Sequence, residues 1–179
     1  MKRPAIFLDR DGTLIEEVNY LSELEDLRVF PFAAEALHQL KRQGYLIAVV
    51  TNQSGIGRGI FDESTMHRIH DQIKNELGDK IDRFYFCPHA PEEGCDCRKP
   101  NTGMIKRACE DLNIEITGSW LIGDKSLDIE AGTNAGVKTI LVRTGYGDSF
   151  DPDSPAQPDH IEDDLLAAAK RIIKDRELH

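Results

Sequence analysis

The chain has 179 residues, a formal net charge of −10 and a hydrophobic fraction of 40%. A chain of this length buries roughly 70% of its unfolded surface, so we expect one domain over residues 1–179. The acidic balance repels polyanions, so we expect no nucleic-acid partner. No apolar run reaches the ~20 residues of a membrane span, and charges interrupt the first apolar run. We therefore expect a cytoplasmic monomer with no membrane partner.

Apolar runs alternate with helical patterns along the chain. The runs predict strands over residues 4–9, 45–51, 82–87, 119–124 and 138–143. The helical patterns predict helices over residues 33–43, 63–77, 103–112, 127–135 and 162–177, and residues 145–158 form a loop. Strands that are apolar throughout are typical of a parallel sheet covered on both faces. The sequence therefore predicts an α/β fold.

Residues typical of helix ends flank several of these helices. Gly44 follows the first helix at the position where glycine commonly ends a helix. Asp62 and Ser126 are candidate N-caps of the helices predicted over residues 63–77 and 127–135. Either Asn101 or Thr102 is the candidate N-cap of the helix over residues 103–112.

Two carboxylates follow the first predicted strand. Asp9 and Asp11 lie two residues apart where the apolar run ends, and Gly12 and Thr13 follow them. Loops at the carboxyl edge of a parallel sheet are where such folds bind ligands. The alternative is a strand followed by an acidic turn, and three further motifs bear on this choice.

The second motif, VVTNQSGIGRG at residues 49–59, ends the second strand with hydroxyl and amide side chains and continues into glycines. Such a segment suits a phosphate cradle built from Thr51, Asn52, Gln53 and Ser54. Taken alone, it is equally explained by a polar turn.

The third motif places Arg98 and Lys99 just before a helix, where a lysine can act as a point charge on a phosphoryl group. Alone it would be a solvated surface pair. The fourth motif, LIGDKSLD at residues 121–128, ends a strand at Asp124, and Asp128 follows one helical turn later. Hard oxygen ligands of this kind suit Mg²⁺. Because all four motifs follow or approach strand ends at one edge of the sheet, we expect them to share one pocket.

Three cysteines and a histidine fall within eleven residues. Cys87, His89, Cys95 and Cys97 give the spacing C-x-H-x₅-C-x-C. Disulfides in a secreted protein or buried reduced thiols are the alternatives, but this spacing matches a closed tetrahedral Zn²⁺ site. We interpret the zinc as structural, folding the 88–97 loop that leads to Lys99. The remaining Cys109 is predicted to be a small core residue.

The four motifs in this order resemble the signature of the haloacid dehalogenase superfamily of phosphatases. The resemblance implies a three-layer Rossmann-like fold with a minimal cap, since residues 12–31 leave no room for an inserted domain. It implies that Asp9 is the nucleophile and that Asp11 is the general acid and base. Thr51 and Lys99 would hold the oxygens of the transferring phosphoryl group.

The resemblance also implies a magnesium site. Asp9, Asp124 and the backbone carbonyl of Asp11 would bind the ion, and Asp128 would orient either the metal ligands or Lys99. Such a cation offsets the repulsion between two carboxylates and a phosphate dianion.

Within the superfamily, the zinc loop together with FLDRDGT, TNQSGI and CDCRKP resembles a branch that acts on small sugar bisphosphates in bacterial surface-sugar synthesis. An arginine near the entrance suits a second phosphate. The resemblance assigns substrate contacts to Glu17, Val18, Asn19, Tyr20, Asn52, Gln53, Ser54, Arg58, Arg98 and Lys125.

Three alternative functions stand beside this one. The histidinol-phosphate phosphatases share the zinc loop, but they carry an acidic TNQDG where this chain has Ser54. Polynucleotide 3′-phosphatases resemble the TNQSGIGRG segment, and the acidic charge argues against them. A binding-only protein on this fold is the third alternative, because a fold does not by itself imply a function.

Overall fold

A six-stranded parallel sheet organises the molecule in the computed structural model, which describes residues 2–178 of the predicted 1–179 domain. The strand order is β3-β2-β1-β4-β5-β6, and each neighbouring pair is parallel. The strands are β1 Arg3–Leu8, β2 Leu46–Asn52, β3 Arg83–Cys87, β4 Ile114–Gly123, β5 Lys138–Val142 and β6 His160–Glu162. This order reverses direction at β1, so a crevice forms beyond the carboxyl ends of β1 and β4.

Helices cover both faces of the sheet. They are α1 Ala33–Arg42, α2 Ser54–Gly57, α3 Glu63–Leu77, α4 Gly103–Leu112, α5 Ser126–Ala135 and α6 Leu165–Glu177. Alternate residues of β1 point to opposite faces. Leu8 packs with Leu40 of α1 and Ile172 of α6, whereas Phe7 packs with Met104 of α4. The predicted three-layer α/β architecture is confirmed.

Residues 12–31 form a short excursion rather than a domain. Ile15 makes isolated bridges to Asp11 and Val29, and one turn of 3₁₀-helix spans Leu24–Asp26. Leu14 belongs to the core of the sheet. The prediction of a minimal cap is therefore confirmed.

The five predicted strands are present, most of their ends lie within one residue of the prediction, and two regions differ by more. β4 begins at Ile114, five residues earlier than predicted, because its pairing with β1 continues through an irregularity between Pro4 and Ile6. Ser119 fills the gap there, its hydroxyl accepting a hydrogen bond from the amide of Ala5 at 2.8 Å. The three-residue strand β6 was not predicted: it follows the predicted 145–158 loop and includes the first residue of the predicted 162–177 helix, so α6 begins later, with Asp164 as its N-cap.

The cap predictions are partly correct. Asp62 accepts a hydrogen bond from the amide of Thr65, and Gly44 has the positive φ of +85° that ends a helix. Thr102 occupies its N-cap position without a side-chain hydrogen bond. The Ser126 prediction is wrong by one residue: Lys125 is the N-cap, and its amide donates to the carboxylate of Asp128. None of the helices within residues 2–178 is both long and apolar enough to span a membrane.

Candidate active site and metal centre

Three buried carboxylates meet at the carboxyl edge of the sheet. Asp9 follows β1, Asp124 follows β4, and Asp128 lies in the first turn of α5. One oxygen of each lies within 4.8 Å of an oxygen of the others. Buried carboxylates at this separation repel one another strongly unless a cation lies between them. The cluster is therefore arranged to hold a hard cation.

Asp124 is held so that one of its oxygens is free. The amide of Tyr146 donates to its Oδ2 at 2.8 Å, whereas Oδ1 is buried and has no hydrogen-bond partner among residues 2–178. Gly12 and Gly145 both have positive φ, and a Cβ at either would lie 2.2 Å from Oδ2. Burial and then the charges of Asp9 and Asp128 raise the pKa of Asp124 to about 8. An unpaired oxygen in so negative a site fits a cation ligand.

Lys99 supplies a positive charge on the other side of this cluster. Its Nζ donates to Asp9 at 2.9 Å, to Asp128 at 2.6 Å and to the carbonyl of Val50 at 2.8 Å, and the residue is 3% exposed. Burial opposes the charge, but Asp128 and Asp9 raise the pKa of Lys99 above its usual value. Burial likewise disfavours the Asp9 carboxylate, yet Lys99 holds the pKa of Asp9 below its usual value.

Asn52 fixes the backbone of Lys99 at the end of β2. Its Oδ1 accepts from the amide of Lys99 at 3.0 Å, and its Nδ2 donates to the carbonyl of Lys99 at 3.2 Å. The predicted phosphate-cradle residue thus uses its side chain to join two loops. Thr51, one residue earlier, is buried and accepts from Gln53 at 2.8 Å.

The three cysteines and the histidine converge as their spacing predicts. The contacts among Cys87, His89 Nδ1, Cys95 and Cys97 span 2.9–3.6 Å. All of these cysteines are free thiols, so a disulfide does not explain the proximity. Four ligand atoms this close fit one tetrahedral ion, which lies ~2.3 Å from each sulfur.

A backbone amide stabilises one of these thiols as a ligand. The amide of Arg98 donates to Sγ of Cys95 at 3.4 Å. Burial raises the pKa of that thiol, but this bond and those from neighbouring thiols outweigh it and lower the pKa of Cys95 to about 7. Cys109 lies on α4 as predicted, but it is partly buried against the core rather than within it, and it takes no part in the cluster.

A cleft of about 200 Å³ opens beside Asp11. Arg58 and Arg98 do not line it: Arg58 is exposed and lies 3.9 Å from Glu92, and Arg98 donates to the carbonyl of His89 at 3.4 Å. The other predicted substrate residues do line it, namely Glu17, Val18, Asn19, Tyr20, Asn52, Gln53, Ser54 and Lys125.

One wall of the cleft contains an aromatic residue that the sequence analysis missed. Lys125 lies 3.3 Å from Glu17 and 4.8 Å from the ring centroid of Tyr146, which is half exposed. Tyr146 stands between glycines in the predicted 145–158 loop, and a lone tyrosine in such a loop gives no sequence signal. The three side chains form a mixed polar and aromatic surface.

Arg10 was also missed, although it stands within the DRDG motif. It is 1% exposed and contacts both Asp11 and His70. His70 lies on α3, where its position matches the buried face of the helix, so sequence patterns show it only as a core residue.

Three features together define the haloacid dehalogenase class. They are a parallel sheet with this strand order, acids after the first and fourth strands, and a lysine between those acids. The chain belongs to the haloacid dehalogenase superfamily: a family model described as HAD-hydrolase-like matches residues 96–168, and close relatives cover most of the chain. A D-glycero-beta-D-manno-heptose-1,7-bisphosphate 7-phosphatase of Haemophilus ducreyi is 43% identical, covering 81% of this chain and 86% of the relative.

Two further relatives span nearly the whole chain. A D-glycero-D-manno-heptose-1,7-bisphosphate 7-phosphatase of Thermosynechococcus vestitus is 40% identical over 96% of both chains. The crystal structure of the D,D-heptose 1,7-bisphosphate phosphatase from B. bronchiseptica, complexed with magnesium and phosphate, superimposes with a TM-score of 0.86. It is 29% identical and covers 96% of this chain and 99% of its own.

Proposed function

We propose that this chain is a magnesium-dependent phosphatase that removes the 7-phosphate of D-glycero-D-manno-heptose 1,7-bisphosphate, in the synthesis of bacterial surface sugars. One domain over residues 1–179 would carry this activity. The observation that carries the proposal is the buried pairing of Lys99 with Asp9 beside the unpaired oxygen of Asp124. The similarity to enzymes of that name over most of the chain supports the choice of substrate.

The residues at the carboxyl edge fit Mg²⁺. Asp9, Asp124 and the backbone carbonyl of Asp11 would hold the ion, using the oxygen of Asp124 that lacks a hydrogen-bond partner. The bound ion supplies positive charge that offsets the repulsion between the carboxylates and a phosphate dianion.

In the first step, an oxygen of Asp9 attacks the phosphorus of the 7-phosphate. The new bond makes an aspartyl phosphate, and the bond from phosphorus to the sugar oxygen breaks. Asp11 gives its proton to that sugar oxygen, which leaves as a hydroxyl group. Lys99 and the hydroxyl of Thr51 hold the phosphoryl oxygens while negative charge redistributes among them.

In the second step, a water molecule attacks the phosphorus of the aspartyl phosphate. Asp11, now a carboxylate, takes the proton of that water. The bond between phosphorus and the Asp9 oxygen breaks, which releases inorganic phosphate and restores the Asp9 carboxylate. The proton that Asp11 gave in the first step is thereby replaced in the second.

The cleft beside Asp11 would bind the sugar. Glu17, Asn19, Tyr20 and Lys125 offer charged and polar groups along its wall. The second phosphate would be bound by Arg58, which follows the cleft-lining helix α2, and by Arg98, which precedes Lys99. Both arginines lie on segments that adjoin the cleft but do not line it. This position suits the 1-phosphate, which lies at the far end of the substrate from the reacting 7-phosphate.

The experiment compares phosphate release from both anomers of heptose 1,7-bisphosphate with release from histidinol phosphate and from a DNA 3′-phosphate. We expect kcat/KM for the sugar bisphosphate to exceed the others by about a hundredfold, equivalent to ~2.7 kcal/mol. The product should retain the 1-phosphate, and a chelator of Mg²⁺ should abolish turnover.

Asp9→Asn is the matched inactive variant, because an amide is a poor nucleophile. Asp26→Asn, which changes an exposed acid in the 3₁₀ turn, should leave activity unchanged. Equal efficiency on histidinol phosphate would contradict the substrate, and turnover by Asp9→Asn within tenfold of the wild type would contradict the mechanism.

A further inference from the structure

Arg10 is a buried cation whose guanidinium contacts three side chains. Its Nε and one terminal nitrogen donate to the two oxygens of Asp11 at 2.9 and 3.0 Å. That terminal nitrogen also donates to Gln53 Oε1 at 3.1 Å, and the other lies 3.1 Å from Nε2 of His70. Such bidentate pairing fixes the plane of a carboxylate as well as its position.

Gln53 makes the orientation of Asp11 still more definite. While its Oε1 accepts from Arg10, its Nε2 donates to Asp11 Oδ2 at 3.1 Å and to Thr51 Oγ1 at 2.8 Å. Rotation of the Asp11 carboxylate would therefore break hydrogen bonds to both Arg10 and Gln53.

His70 supports the far side of the guanidinium. The imidazole is buried and stacks on Phe84, with ring centroids 4.4 Å apart and an angle of 17° between the planes. Burial and the cation of Arg10 lower the pKa of His70 to about 2, so the ring is neutral and its Nε2 lone pair accepts from Arg10. Without this acceptor, one edge of a buried cation would lack a partner, which is costly.

We propose that His70 is a positioning residue that acts through Arg10 to hold Asp11 in the orientation from which it transfers protons. This inference rests on the proposed phosphatase function. His70 lies on α3, sixty residues from Arg10 along the chain, and does not line the cleft. Its effect would therefore fall on proton transfer and not on substrate binding.

The test uses two substrates that differ in how much they need an acid. The oxygen of a sugar phosphate leaves poorly without a proton, whereas nitrophenolate leaves well unprotonated. General acid help of about 10²–10⁴ applies chiefly to the former. Because the second step is the same for both substrates, the comparison uses kcat/KM, which reports the formation of the aspartyl phosphate. We expect His70→Leu to lower kcat/KM for heptose 1,7-bisphosphate about tenfold or more, and kcat/KM for nitrophenyl phosphate less than about threefold.

Two variants separate positioning from packing. His70→Gln keeps an acceptor for Arg10 and should recover most of the kcat/KM for the sugar phosphate. His67→Leu changes an exposed histidine one helical turn away that also contacts the His70 ring, and it should behave as the wild type. Circular dichroism and zinc content of each variant check that the fold is retained.

The inference is overturned if His70→Leu lowers kcat/KM equally for both substrates, if His70→Gln is as impaired as His70→Leu, or if His70→Leu leaves kcat/KM for the sugar phosphate unchanged. A wild-type protein that hydrolyses neither substrate contradicts the proposed function instead. If His70→Leu does not fold, His70→Gln alone decides. This variant keeps an acceptor for Arg10, so loss of sugar-phosphate turnover in folded His70→Gln would contradict the inference.

Discussion

The Nζ of Lys99 lies closer to Asp128 than to any other carboxylate, at 2.6 Å. Lys99 comes from the zinc loop and Asp128 from the first turn of α5, so this contact joins two segments that the sheet alone does not connect. The contact matters for phosphoryl transfer because the same ammonium group also contacts Asp9. Asp128 therefore sets where the cation of Lys99 lies relative to the proposed nucleophile.

Asp128→Asn removes the charge from this contact while keeping the shape of the side chain. A charge-assisted hydrogen bond contributes ~1.5–3 kcal/mol, so we expect kcat to fall about tenfold to a hundredfold. Steady-state kinetics at saturating Mg²⁺ measure this. Glu130→Gln, an exposed acid on the same helix, is the control, and a kcat for Asp128→Asn within twofold of the wild type would contradict the role.

The Cys-His cluster predicts about one zinc ion per chain. Cys95→Ala should lose both the ion and the phosphatase activity, because the loop that carries Lys99 has few apolar residues to fold around. Elemental analysis of protein purified without chelators measures the metal. Cys109→Ala removes a thiol outside the cluster and should keep both. Zinc-free wild-type protein with full activity would refute the prediction.

Gly145→Ala should weaken magnesium binding, because its Cβ would lie 2.2 Å from Oδ2 of Asp124. Gly44→Ala is a matched control, since Gly44 also has a positive φ and its Cβ would meet nothing within 4 Å. Both changes carry the same backbone cost of ~1–2 kcal/mol. Activity titrated with Mg²⁺ should show a raised half-saturating concentration in Gly145→Ala alone. Equal half-saturating Mg²⁺ concentrations in the two variants would argue against a role of Gly145 in positioning Asp124.

Buried His70 makes the fold sensitive to acid. Its pKa is about 2 in the folded chain and 6.5 when exposed, so between these values the unfolded state binds a proton that the folded state does not. The contribution of neutral His70 to the free energy of unfolding is therefore fully present above pH 6.5. It falls as the pH drops below that value, by at most ~1.4 kcal/mol per pH unit.

Urea unfolding at pH 7, 6 and 5 measures that slope. His70→Gln does not titrate in this range, and its free energy of unfolding should fall less steeply than that of the wild type. Parallel slopes for the two proteins would show that His70 is not the source of the acid sensitivity.

Much of the site followed from local patterns in the sequence. An apolar strand that ends in an acid places that acid at the carboxyl edge, so Asp9 and Asp124 were expected to meet. The spacing of the three cysteines and the histidine likewise predicts that their ligand atoms converge. Both inferences start from local patterns, and the pairing of β1 with β4 then makes Asp9 and Asp124 neighbours.

The parts that sequence reasoning missed depend on contacts through space. The Arg10–His70 contact joins residues sixty positions apart, and each looks ordinary in its own segment. β6 has three residues, too few to show a periodicity. Arg58 was expected in the cleft because it follows a cleft motif, but the turn of α2 directs it to the surface near Glu92.

The charged groups around the cleft do not balance one another. Five carboxylates, those of Asp9, Asp11, Glu17, Asp124 and Asp128, face the three cations Arg10, Lys99 and Lys125. With Asp11 protonated for the first step, one negative charge remains, and one divalent cation gives the set a net charge of +1. A phosphate dianion then enters a positively charged site rather than an anionic one, so loss of the ion would slow the arrival of substrate as well as its conversion.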